Sequence, residues 1–226
     1  MGKYFIAGTD TDAGKTFVSQ ALLTAAINEG MSCYGLKPVA AGCVDQGEGL
    51  QNDDALRLMQ SSSVKLSYQQ VNPIALEAAI APHVAAKQEE VTLNTQKVVG
   101  FCRGALMMNR ADFIIVEGAG GWRVPLNSRE TMAQIPKELS LPVILVVGVK
   151  LGCINHALLT AEAINRDGLQ IAGWVANHID PQMESSEESV ATLKAAINAP
   201  LIGEVPFIEN QDIAQASKHL QLEQIL

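Results

Sequence analysis

The stretch Tyr4-Phe5-Ile6-Ala7-Gly8-Thr9-Asp10-Thr11-Asp12-Ala13-Gly14-Lys15-Thr16 carries the most specific chemistry in the chain. An apolar run breaks at Gly8 into a small polar loop, and Gly14-Lys15-Thr16 opens an amphipathic segment. Strand, loop and helix in that order make an anion cradle, because backbone N–H groups around Gly14 sit at the positive end of a helix. Lys15 is placed to reach the β- and γ-phosphates of a nucleotide, and the Thr16 hydroxyl to hold Mg²⁺. The usual G-x4-G-K-[ST] spacing asks for glycine at position 9, where Thr9 stands; the loop reads G-x5-G-K-T instead.

Further groups stand where such a ligand would lie. Val116-Glu117-Gly118-Ala119-Gly120-Gly121 follows the most apolar segment of the chain. An acid at that place supports Mg²⁺ in phosphate-loop enzymes, and the glycines let backbone N–H groups approach a ligand. Asp54, in a helix start after Asn52, reads as a cap residue or as a further Mg²⁺ ligand beside Thr16 and Glu117. Lys37 and Lys150 follow apolar runs and read as facing an anion rather than solvent. His83, in Ala81-Pro82-His83-Val84, reads as structural. No Ser-His-Asp or Cys-His arrangement is legible, so the chemistry expected is phosphoryl transfer by positioning and charge neutralisation.

The elements that must hold these groups follow from periodicity. After Thr16 the positions Val18, Ala21, Leu22 and Ala25 have helical spacing, with Gly30 as the stop. Cys33 to Val39 reads as a strand ending near Lys37-Pro38, and Gly42 to Gly49 as a glycine-rich loop. Asn52 is expected to cap a short helix with Ala55, Leu56, Leu58 and Met59. Residues 61–92 read as loops with short helical pieces. A helix follows Asn94 with Val98, Cys102, Ala105 and Leu106 on one face. Phe113 to Val116 and Pro142 to Gly148 are apolar on both faces, as central parallel strands are.

Asn155 is expected to cap a helix that buries Ala157, Leu158, Ala161 and Ile164 and ends at Gly168. Gln170 to Asn177 reads as a strand, Ser185-x-x-Glu188 as a capping box for a helix through Ile197, and Leu201 to Val205 as the last strand. Pro206 and a polar helix follow. Alternating strands and helices predict a single α/β domain over residues 1–226, a mostly parallel sheet flanked by helices of the phosphate-loop NTPase kind. Ligands of such sheets bind beyond the carboxyl ends of the strands, where the phosphate loop, Lys37, Glu117, Lys150 and Asn177 all fall.

At 226 residues, 48% of them hydrophobic and 18% charged, the chain has the make-up of one soluble enzyme domain. Its apolar runs are short of a membrane span, and residues 3–7 read as a strand rather than a leader. Cys33, Cys43, Cys102 and Cys153 share no C-x-x-C spacing, which speaks against a zinc site or disulfide frame. The expected location is the cytoplasm. A net charge of −8 argues against nucleic acid as a partner and requires any anion site to be positive locally.

Gly8 to Thr16 with its G-x5-G-K-T spacing, Lys37-Pro38-Val39, Asp54, Glu117 to Gly121, Leu151-Gly152-Cys153-Ile154-Asn155-His156, Gly173 to Asn177 and Gly203-Glu204-Val205-Pro206 together resemble the dethiobiotin synthetase family. The resemblance implies an ATP- and Mg²⁺-dependent ring closure in biotin synthesis. Carbon dioxide adds to one amine of 7,8-diaminononanoate, the γ-phosphoryl group of ATP activates the carbamate, and the second amine closes a cyclic urea. It implies Lys37, Lys15 and Thr11 as catalytic residues. ATP would contact Asp12, Ala13, Gly14, Lys15, Thr16 and Phe17, then Asp54, Glu117, Gly118, Ala119 and Gly120. Asn177 and His178, with the turn Pro206, Phe207 and Ile208, would hold its adenine end. Thr16, Asp54 and Glu117 would hold Mg²⁺. Substrate would meet Lys37, Ala41 and Gly152, Cys153, Ile154 and Asn155, the last four from the partner chain of a homodimer. Family members often have serine or threonine after Lys37-Pro38-Val39-Ala40; here Ala41 offers no hydroxyl.

Two related ATPase readings fit less well. Partitioning and nitrogenase-type ATPases carry a lysine five residues before the invariant one, where this chain has Asp10, and amide-forming synthetases of cobalamin synthesis add a glutamine-handling domain. A non-catalytic nucleotide-binding regulator would leave Lys37 and the Glu117 segment without a role.

Overall fold

The computed structural model describes residues 2–226. Six strands form one parallel sheet: Gly2–Gly8 (β1), Cys33–Leu36 (β2), Phe113–Glu117 (β3), Val143–Val149 (β4), Ile171–His178 (β5) and Leu201–Val205 (β6). Their order across the sheet is β6-β5-β4-β1-β3-β2. The chain leaves β1 toward one edge, returns through β3, and then crosses to build β4, β5 and β6 on the other side. The carboxyl end of β1 is therefore a topological switch point, where the following loops part and leave a crevice.

Side chains alternate across the sheet and fill two cores. Phe5, Tyr34, Leu36, Ile114, Val116, Leu145, Val147 and Trp174 face one way; Tyr4, Ile6, Cys33, Ile115, Ile144, Val146 and Val175 face the other. Helix α1, Lys15–Asn28, covers the second face with Val18, Ala21, Leu22 and Ala25. After α2, Asp53–Ser61, the first face is covered by α3 (Thr95–Met108), α4 (Cys153–Arg166) and α5 (Ser186–Ala196). Both faces being covered explains why Phe113 to Val116 of β3 and Val143 to Val147 of β4 are apolar at every position. Among the described residues no helix is long and apolar enough to cross a membrane.

Register brings the chemistry together. Leu36 pairs with Val116 and Ile6 with Glu117. The residue after β2, Lys37, therefore emerges beside the last residue of β3, with the phosphate loop on Glu117's other side.

Several sequence expectations need correction. The strand begun at Cys33 ends at Leu36, and Val39–Ala40 pairs instead with Ile74–Ala75. Pro38 has no N–H for the ladder, and the Lys37 N–H donates to the Val71 carbonyl at 2.9 Å. The loop from Gly42 contains a small antiparallel pair, Val44–Asp45 with Leu50–Gln51. The N-cap of α4 is Gly152, in a left-handed conformation, with Asn155 exposed in the first turn. Ser185 makes no side-chain cap on α5; its backbone is left-handed, and its carbonyl accepts the Ser189 hydroxyl at 3.0 Å. Asn52 caps α2 as expected, accepting the Asp54 N–H at 3.0 Å and the Ala55 N–H at 3.4 Å.

Candidate active site

A cleft of about 730 Å³ opens at the switch point. The phosphate loop and the start of α1 supply Thr11, Asp12, Gly14, Lys15, Thr16 and Phe17 to it; Lys37, Ala41, Asp54, Ala119 and Gly120 line it from across the sheet.

Gly14 has φ +81°, the left-handed conformation that starts α1 and that glycine adopts without strain. A Cβ there would overlap the Asn177 side-chain amide, which donates to the Ala13 carbonyl at 3.0 Å. Asn177 is buried behind the loop it holds. Lys15 is 5% exposed and donates to the carbonyls of Asp10 at 3.0 Å and Thr11 at 3.3 Å. Burial and the nearby Lys37 ammonium lower its pKa to about 8, against the pull of Glu117, Asp54 and Asp10. The rim of the loop is tied by Lys150, whose Nζ lies 3.1 Å from Asp10 Oδ2. Lys150 thus meets an acid of this chain, where the sequence suggested a bound anion.

At the cleft floor, Lys37 Nζ donates to Glu117 Oε1 at 2.6 Å, to Asp54 Oδ2 at 3.1 Å and to the Gly118 carbonyl at 3.2 Å. Burial disfavours the Lys37 charge, but the two carboxylates outweigh it and hold its pKa above the ordinary lysine value. Asp54 shows the reciprocal result: burial raises its pKa, and Lys37 turns the balance so that it ends below the ordinary value. Asn72 fixes the backbone here, donating to the Lys37 carbonyl at 2.6 Å.

Glu117 is fully buried; its Oε1 also accepts the Thr16 hydroxyl at 2.8 Å, while Oε2 has no hydrogen-bond partner. An unpartnered buried carboxylate oxygen is costly, and a cation would relieve it. Among the described residues no cluster of three or more His, Cys, Asp or Glu could hold a metal. A cation beside Glu117, Asp54 and Thr16 would complete its shell from phosphate oxygens and water, which is the habit of Mg²⁺. These residues fit that ion.

The remaining expected residues lie farther out. His178 pairs with Glu204 at 2.9 Å. Phe207 is 46% exposed, Ile208 is buried, and neither these nor Pro206 line the cleft. Gly152, Cys153, Ile154 and Asn155 also lie outside it. The sequence reading missed the opposite wall, Ala79, Ile80, Ala81 and Pro82, and also Arg57 and Gln211. The wall carries no chemical signal in the sequence. Arg57 was legible, standing three residues after Asp54 on one helix face.

The chain matches a family model described as an AAA domain over residues 2–215. An ATP-dependent dethiobiotin synthetase of Cellvibrio japonicus is 56% identical over 99% of this chain and 97% of its own length. One from Marinobacter nauticus is 53% identical over 94% and 91% of the two chains. The chain belongs to the ATP-dependent dethiobiotin synthetase family. Another member, from Pseudomonas aeruginosa, is 50% identical over 98% of this chain and 97% of its own.

Solved structures share the fold of this chain. The cell-division protein MinD of Aquifex aeolicus superposes with a TM-score of 0.57 at 15% identity, covering 98% of this chain and 88% of its own. MinD of Pyrococcus horikoshii, solved with Mg-ADP, gives 0.54 at 17% identity over 99% and 86%.

Proposed function

We infer that this chain is an ATP-dependent dethiobiotin synthetase acting in biotin biosynthesis, its residues 1–226 working as one synthetase domain. The observation that carries the reading is Lys37: a charged lysine on the floor of the cleft that Lys15 also lines, in a chain 56% identical to a synthetase end to end.

The substrates in this reading are 7,8-diaminononanoate, carbon dioxide and ATP. One amine adds to carbon dioxide and loses a proton, giving a carbamate. A carbamate oxygen attacks the γ-phosphorus as the bond to ADP breaks. The second amine then attacks the activated carbonyl, phosphate leaves with the bonding pair, a further proton is lost, and the ring is closed. Negative charge gathers at the carbamate and the transferred phosphoryl group, and Lys15 and Lys37 neutralise it with Thr11 beside them.

The phosphate loop from Asp12 to Phe17, with Gly118, Ala119 and Gly120, positions the nucleotide. Asn177, His178 and the turn Pro206, Phe207 and Ile208 serve its adenine end, Asn177 by holding the loop. Thr16, Asp54 and Glu117 would hold Mg²⁺, which supplies charge neutralisation on the phosphates when bound. The wall of Ala41, Ala79, Ile80 and Ala81 suits the methylene chain of the diamine, and a water takes the place of the hydroxyl that Ala41 lacks. Gly152 to Asn155, exposed at the α4 N-terminus apart from the buried Cys153 and half-buried Ile154, would meet the carboxylate of substrate bound in the partner subunit of a homodimer.

The test is incorporation of labelled bicarbonate into dethiobiotin, dependent on ATP and the diamine. Absence of labelled product from folded, ATP-binding protein overturns the reading.

A further inference from the structure

A nucleotide triphosphate brings a large negative charge to a chain whose own net charge is −8, so spare positive charge in the cleft matters. Lys37 has little to spare, being matched by Glu117 and Asp54. Lys15 is already held by two loop carbonyls, those of Asp10 and Thr11. The third cation lining the cleft is Arg57 on α2, on the same helix face as Asp54. Among the described residues no ion pair includes it. Its side-chain partner is neutral: Nη1 lies 3.5 Å from Gln211 Oε1, a long and weak hydrogen bond.

Gln211 reaches Arg57 across the cleft mouth from the loop after β6. It is one of the few non-glycine residues with a left-handed backbone, φ +50°, and its N–H donates to the Ile208 carbonyl at 3.0 Å. A left-handed backbone is strained for a non-glycine residue and persists where surroundings impose it, and such residues gather at ligand clamps. The pair bridges α2 to the C-terminal loop, with Phe17, the residue after Thr16, lining the same cleft.

We propose that Arg57 is a nucleotide-binding residue: its guanidinium takes a phosphate oxygen of the bound nucleotide, and Gln211 holds it extended over the cleft beforehand. A guanidinium without a counter-charge gives up little on turning to phosphate, and its planar fork suits a bidentate contact. Neutral Gln211 keeps the arm in place without competing for the charge.

The inference rests on reading the cleft as the nucleotide site, and calorimetric titration separates the two. Arg57→Ala should weaken ATP and ADP by roughly ten- to a hundredfold, the worth of a hydrogen bond to a charged group. Adenosine, which has no phosphate, should bind Arg57→Ala and the parent alike. Arg57→Lys should recover part of the loss, and Gln211→Ala should show a smaller one. A thermal melt of each variant matching the parent excludes unfolding as the cause. ATP affinity unchanged in Arg57→Ala, or adenosine weakened as much as ATP, overturns the inference. The parallel titration of Lys15→Gln tests the cleft: if it binds ATP like the parent, the nucleotide site itself is misplaced, whereas its failure beside a normal Arg57→Ala condemns the Arg57 proposal alone.

Discussion

Lys37 and Glu117, 80 residues apart in sequence, meet at 2.6 Å between Nζ and Oε1 with both side chains almost wholly out of water. Neighbouring parallel strands deliver them: Leu36 pairs with Val116, so the residues that follow are side by side. Asp54, more exposed, completes the charge balance from α2.

Breaking that pair should be expensive. Lys37→Met leaves the Glu117 carboxylate buried without its cation, and unfolding by urea should report a loss of about 3–5 kcal/mol. The double variant Lys37→Met with Glu117→Gln should recover a large part of it. The pH dependence has a definite sign. Asp54, with a depressed folded pKa, stabilises above its unfolded value near 3.9, and that contribution disappears as pH falls through the folded pKa. Lys37, with a raised folded pKa, stabilises below its unfolded value near 10.4 and loses that contribution as pH rises through the folded one. Lys37→Met should flatten both limbs; limbs unchanged in the variant would mean other groups set them.

Lys15 should make nucleotide binding take up protons. With its pKa at about 8 in the free protein, much of the amine is neutral at mildly alkaline pH, and phosphate favours the ammonium. Calorimetry around that pH in buffers of different ionisation enthalpy should give net proton uptake on ATP binding, fading toward pH 6. Buffer-independent heats near the Lys15 pKa would contradict this. Lys15→Gln should fold and lose roughly 10²-fold or more in kcat.

Gly14→Ala faces two penalties, a left-handed backbone and overlap with the Asn177 amide. It should lower the melting temperature and weaken ATP strongly. Adding Asn177→Ala removes the overlap but not the backbone strain, so the double variant should be more stable than the sum of the singles predicts. Strict additivity would show that the two residues do not press on each other.

A shared active site predicts rescue by mixing. Lys15→Gln chains and chains damaged at Asn155 should each be poor enzymes, and their mixture should regain partial activity because some mixed dimers hold one intact site. Mixed dimers as inactive as the parents would count against the partner's contribution.

Much of this was legible in the sequence, and the residues show why the rest was not. β3 declared itself by being apolar up to Glu117, β4 by its unbroken apolar run from Val143 to Val147, and Gly14-Lys15-Thr16 by strict local geometry. The sequence could place Lys37 and Glu117 at strand ends but could not show that they touch, because that depends on β2 and β3 being neighbours. The Gln134–Leu139 helix went unread, being six residues long with Pro136 inside it. At α4, Asn155 looked like the cap, yet Gly152 adopts the cap position three residues earlier with a φ of +90°. Asn177 reads as a ligand contact, and its amide also fastens the phosphate loop, a long-range bond that no local pattern announces.

The central claim is that this cleft spends ATP on closing the ring of a diamine. The most direct test is ADP release with bicarbonate present, measured with and without 7,8-diaminononanoate. The account predicts slow release without the diamine and strong stimulation with it, one ADP formed for each dethiobiotin. Fast ADP release that ignores the diamine would contradict it and mark the chain as a free-standing ATPase.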